Sequence, residues 1–226
     1  MNRRPWVKLP ARWIEDGGLK QFQWGKQGGS TQTAALMVLM TIAHHGSLHE
    51  GLAQLTYDQL TWATHLSRTK VADGLDVLEQ RNLVLRAPAG RSSYQLVDYE
   101  AKRGWAMIPA QKLYSADGIR AFADFHLRKR SELDALKAYL AFAARRDRKF
   151  NRAHITYEQL SDYAGIPEAR IKTALSLLIH AELIVVDQKE REPGEFGMSH
   201  AYRLRYLLSG THQGTTGRAE AAPLST

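Results

Sequence analysis

His45 and His49 lie four residues apart, the spacing at which two imidazoles on one helix face can share a zinc ion, and His44 adjoins them. Zinc hydrolysis needs more than this pair. Gly46 stands where a glutamate base would be required, and a glycine there interrupts the helix that would carry both rings. The stretch GKQGGST at 25–31 has neither the spacing of a phosphate-cradling loop nor a preceding strand. A Gly-x-Ser-x-Gly nucleophile elbow is absent, and the carboxylates are scattered without an evident pair. With no cysteine, thiolate nucleophiles, thiolate metal sites and disulfides are excluded. The expectation is a chain that is not an enzyme, with no catalytic residue, metal or cofactor.

The remaining chemistry is positive charge. Thirty-one Lys and Arg face 23 Asp and Glu, a formal net charge of +8 and a pI near 9.7. This balance favours acidic partners, nucleic acid above all. Arg128, Lys129 and Arg130 form one cluster, and Arg145, Arg146, Arg148, Lys149 and Arg152 crowd a second. Such runs serve either as a solvated face or as a phosphate-contacting surface. The longest apolar run, 34–43, is too short to cross a bilayer, and the basic start MNRRPWVKLP lacks the apolar region of a secretory signal. A cytoplasmic protein without a membrane partner is expected.

The elements that position these charges repeat. LTYDQL at 55–60 returns as ITYEQL at 155–160. At the same spacing Leu36 matches Leu136, Leu66 matches Ile166, and Val71, Leu75, Leu78 and Leu83 match Ile171, Leu175, Leu178 and Leu183. Upstream, Trp6 and Pro10 align with Trp105 and Pro109, and Gly18 with Gly118; downstream, YQLVDY from Tyr94 aligns with YRLRYL from Tyr202. Matched positions in constant order are the mark of a duplicated domain.

Each copy reads as the same series. In the first, 30–45 has helical apolar spacing, LAQLT is a short extended piece, Thr56 caps a second helix and Ser67 a third. LVLRA and SYQLVDY then form a hairpin around a Pro/Gly turn. In the second, helices are expected over 131–146, 156–163 and 167–181, followed by a hairpin with a long tip. The fold class is α+β, mainly α with small β-hairpins.

The phrases LTYDQLTWATHLSRTKVADGLDVLEQRNLV and ITYEQLSDYAGIPEARIKTALSLLIHAELIV resemble the winged helix-turn-helix pattern, over 30–99 and 131–207. The leader WVKLPARWI before a long helix is loosely similar to winged-helix domains of plasmid and phage replication initiators. The resemblance implies two tandem winged-helix domains, 1–99 and 100–208, ahead of a disordered tail at 209–226. It implies that the third helix of each copy enters the major groove of double-stranded DNA, and that each wing approaches the backbone. The residues so implicated are Ser67, Arg68, Thr69 and Lys70 in copy one, and Arg170, Lys172 and Thr173 in copy two. The first wing adds Arg86 and Arg91. The second wing, 187–200, carries more acids than bases and is expected to stay off DNA, leaving backbone contact to Arg145, Arg146, Arg148 and Lys149. One departure stands out: the glycine usual before the exit strand is Asn82 in one copy and Glu182 in the other. Glutamate resists a positive φ, so the second junction is expected to differ.

The five tryptophans are expected in the core and in domain packing. The expected role is sequence-specific binding, as a replication initiator of a plasmid or other mobile element or as a transcriptional regulator, with localisation to nucleoid or plasmid. A homodimer and the replication or transcription machinery are the further partners. The competing reading is a winged-helix assembly module that binds proteins and does not read DNA.

Overall fold

Two hydroxyls at matched positions start the same helix in each half. The computed structural model describes residues 4–25, 28–100, 104–147, 150–188 and 200–207. Thr56 Oγ1 accepts from the Gln59 backbone N–H at 3.2 Å and opens α3 (Tyr57–Thr64), while Gln59 reaches back to the Thr56 N–H at 2.8 Å. Thr156 and Gln159 form the same capping box at 3.1 and 3.0 Å and open α6 (Tyr157–Ala164). Each box satisfies two backbone donors that a helix start would leave orphaned. Ser67 caps the next helix, α4 (Arg68–Gln80); in the second half Pro167 is the cap residue and α7 spans Glu168–His180. Leu60 and Leu160 are fully buried, as the repeated phrase predicts.

The series around these helices is shared. The first half runs β1 (Trp6–Pro10), α1 (Arg12–Glu15), a 3-10 turn (Gly18–Gln21), α2 (Gly29–His45), β2 (Leu52–Gln54), α3, α4, β3 (Val84–Arg86) and β4 (Ser93–Leu96). The second runs β5 (Trp105–Pro109), β6 (Tyr114–Ser115), β7 (Gly118–Ile119), a 3-10 turn (Arg120–Phe122), α5 (Arg130–Arg145), β8 (Ala153–His154), α6, α7, β9 (Ile184–Gln188) and β10 (His200–Leu204). The described residues thus form seven α-helices and small antiparallel sheets, an α+β architecture. The sheet orders β2-β4-β3 and β8-β10-β9 correspond. None of the described helices is long and apolar enough to cross a membrane.

Asn82 and Glu182 occupy equivalent junctions, with φ 53° and 55°. In both, the next N–H bonds back into the helix, Leu83 to Leu78 O and Leu183 to Leu178 O, each at 2.9 Å. The expected difference between the junctions is therefore absent. Glu182 is held in the left-handed conformation by this closure, and its carboxylate accepts from the Tyr206 hydroxyl at 3.0 Å.

The halves interlock through their leaders. β1 and β5 pair antiparallel, with Trp6 opposite Pro109, Lys8 opposite Met107 and Pro10 opposite Trp105. Because Trp6 and Pro10 correspond to Trp105 and Pro109, exchanging the halves maps this register onto itself. That is the signature of a two-fold axis, here inside one chain and passing near Lys8 and Met107. The long helices α2 and α5, both buried along most of their length, pack against each other beneath this ribbon.

The leader contacts are reciprocal. The 3-10 turn of the first half packs on α6 of the second, and β7 of the second packs on α3 of the first. A Cβ on Gly118 would lie 2.2 Å from the Trp62 carbonyl oxygen, so only glycine fits there. Trp62 Nε1 donates to the Ala116 carbonyl at 3.0 Å and its ring stacks on Tyr114 at 5.9 Å. Leu19, Phe22, Ile119 and Phe122 are fully buried. At such positions each large apolar side chain contributes roughly 1.5–3 kcal/mol.

Candidate nucleic-acid interface

Two helix N-termini, those of α4 and α7, carry the residues expected to read bases, and the structure divides these residues into two groups. Ser67, Arg68 and Thr69 are exposed in the first half, as are Lys172 and Thr173 in the second. Arg68 makes an ion pair with Asp58 at 2.7 Å, both side chains being mostly in solvent. Exposed pairs of this kind contribute at most about 1 kcal/mol and exchange readily for another acidic partner.

Lys70 and Arg170 form the other group. Lys70 Nζ donates to Ser30 Oγ at 3.2 Å and Thr31 Oγ1 at 3.4 Å at the start of α2, and pairs with Asp73 at 3.2 Å. Arg170 Nε donates at 2.8 Å to Asp134 of α5, whose side chain is only 3% exposed. These matched residues turn back to the long helix of their own half and fix the angle at which α4 and α7 leave it. Beside Arg170, Lys137, buried on α5, donates to the carbonyls of Phe22 at 3.0 Å and Gly165 at 3.5 Å. It ties the first leader to the α6–α7 turn. Burial lowers its pKa from 10.5 to about 8, against the opposing pull of Asp134.

The β3–β4 hairpin, expected to be the first wing, is less cationic than its sequence. Arg86 is bound by two acids of α4, Glu79 at 2.8 Å through Nε and Asp76 at 2.7 Å. Hydrogen bonding to Glu79 holds its guanidinium well above the ordinary range. Arg91 is exposed and makes no ion pair among the described residues. In the second half Arg145 lies over the Tyr163 ring at 4.7 Å, and Arg146 ends α5, half-buried. Arg148 and Lys149 lie outside the described residues, as do 189–199 of the second wing and the 209–226 tail. Asp187, at the root of that wing, is saturated by Arg203 at 2.7 and 2.9 Å and Arg152 at 3.0 Å. These cations hold its carboxyl below the ordinary range, although burial alone would raise it.

One feature went unread in the sequence. A groove of about 510 Å³ runs beside the start of α4, lined by His65, Ser67 and Lys70 from the first half and by Phe125, His126 and Arg128 from the second. The buried Glu132 carboxylate builds its far wall by accepting from the backbone N–H groups of His126 at 3.1 Å, Arg128 at 3.0 Å and Lys129 at 3.4 Å. This leaves the Arg128 and Lys129 side chains in solvent beside the other half's helix. The signal was the acid two residues beyond the run Arg128, Lys129, Arg130, a pattern ordinarily read as surface charge alone.

Two of the three histidines serve packing, and His49 is exposed beyond the end of α2. The Tyr114 hydroxyl lies 3.2 Å from His44 Nδ1 and 3.3 Å from His45 Nε2, at the contact between halves. Among the described residues no group of three or more His, Asp or Glu side chains is arranged to hold a metal. No protein-family model matches the chain, and no curated protein sequence matches it.

Proposed function

We propose that this chain binds double-stranded DNA through two winged helix-turn-helix units built from a duplicated domain. The observation that carries the reading is the pair of capped two-helix turns at matched positions. Each is followed by a left-handed helix end and a hairpin, and each presents exposed polar or basic residues at the start of its second helix. A helix presented this way fits the major groove, and Arg68 suits the two acceptors of guanine. Arg91, Arg128, Lys129 and the +8 net charge favour the phosphate backbone. Lys70 and Arg170 act as supports for the reading helices, not as readers. A sequence-specific role at a replication origin of a plasmid or other mobile element, or at a promoter, follows from the likeness to replication initiators.

Electrophoretic mobility shift with random duplex at low salt tests the proposal. Binding that weakens steeply as salt rises is the expected result. No shift at any protein concentration would overturn it and favour the assembly-module reading.

A further inference from the structure

We infer that the DNA site is an imperfect inverted repeat read by one chain, with a different base preference in each half. The inference rests on the DNA-binding reading proposed above. Helix-turn-helix dimers read palindromes because a two-fold axis relates their reading helices, and the symmetry of the protein is imposed on the site. Here the axis lies within the chain. The β1–β5 register maps onto itself when the halves are exchanged. The packing of the first leader on α6 is answered by that of the second on α3. Lys70 and Arg170 each tie their helix to the N-terminal turns of the long helix of their own half, through Ser30 in one and Asp134 in the other. A duplication strung as beads on a linker would leave the two readers free to meet direct repeats. A dyad sets them in opposite senses, and a site read by both from one face of the duplex would place the two motifs about 10 base pairs apart centre to centre.

The symmetry holds for the backbone and fails for the side chains that read. Arg68 is matched by Glu168, and Asp73 by Thr173. Arginine favours guanine, whereas glutamate accepts from the N4 amine of cytosine. At the matched position the base pair is therefore reversed relative to a true palindrome, so one strand carries guanine in both halves.

Selection from a random duplex library with the full chain, followed by duplexes holding the two selected motifs inverted or direct at one spacing, tests the inference. Inverted motifs should bind about 10-fold to 100-fold more tightly than direct ones, one half-site's worth of contacts. Complex mass should correspond to one chain per duplex. Arg68→Ala should relax one half-site and Glu168→Ala the other. Preference for direct repeats, or a single motif, would overturn the inference while leaving DNA binding intact. Two chains per duplex, with Arg68→Ala relaxing both halves, would place the axis between chains and also overturn it. No shift on any duplex would instead remove the DNA-binding reading itself.

Discussion

Replacing Lys137 by methionine should alter how stability depends on pH, with little change in the volume of the core. The ammonium sits between the Phe22 and Gly165 carbonyls, and burial lowers its pKa from 10.5 to about 8. The sign follows from which state keeps the proton. Below pH 8 both folded and unfolded chains hold it, and the cost of burying the charge is fully present. Between pH 8 and 10.5 the unfolded chain still holds the proton that the folded chain has released. Stability therefore rises with pH across this window, by about 3 kcal/mol in all and roughly 1 kcal/mol by pH 9. Lys8, also lowered by burial, adds a rise of the same sign. The buried tyrosines Tyr139 and Tyr202, raised by burial, oppose it at higher pH. All three are present in both proteins and cancel in the difference. Urea unfolding followed by tryptophan fluorescence at pH 7, 8 and 9 measures that difference. The gap, wild type minus Lys137→Met, should grow by roughly 1 kcal/mol in favour of wild type from pH 7 to pH 9. The donor lost to Phe22 and Gly165 offsets the whole curve without tilting it. A gap that stays constant with pH would show that Lys137 titrates alike in both states, and the reasoning would fail.

Gly118→Ala should destabilise the chain by at least about 2 kcal/mol, because φ is +119° and the added carbon meets the Trp62 carbonyl. Gly90→Ala, with φ +93° and open space around it, should cost only about 1 kcal/mol in the same thermal melt. Arg170→Ala should lower stability by about 2 kcal/mol, less than for a fully buried pair because the guanidinium is partly exposed, while leaving the bases selected in its half-site unchanged. Glu182→Gly should raise stability by about 0.5–1 kcal/mol, since glycine adopts φ near 55° without strain; unfolding midpoints will read the gain net of the lost Tyr206 and Arg205 contacts.

Much of the helical framework was legible because its signals are local. A threonine three residues before glutamine marks α3 and α6, and the Leu60 and Leu160 phrases mark their buried face. The crossing of the leaders was not legible. Trp6–Pro10 is five residues long and its partner lies about a hundred residues away, so nothing in either stretch names the other. The pairs Leu19 with Ile119 and Phe22 with Phe122, at the spacing of the repeat, were the available hint. The candidate site was legible in residue type and less so in availability. Arg86 looks free until the helix turn sets Asp76 and Glu79 on one side of α4, facing it. Lys70 and Arg170 look wholly free until the fold engages them with Ser30 of α2 and Asp134 of α5. Side-chain direction at a helix start depends on the neighbouring helix, which a single repeat does not reveal.

The pairing of β1 with β5 also governs how the chain is made. Translation at about 5–20 residues per second separates β1 from β5 by roughly 5–20 seconds as each leaves the ribosome. During that interval Trp6–Pro10 presents an open strand edge, the kind of template on which a second nascent chain can dock. Because a neighbouring copy carries the same β5, the edge that awaits its own partner strand fits the β5 of that neighbour in the same register. Refolding at high concentration should therefore raise the fraction of leader-exchanged dimer, and dilution before refolding should lower it, as size-exclusion chromatography will read.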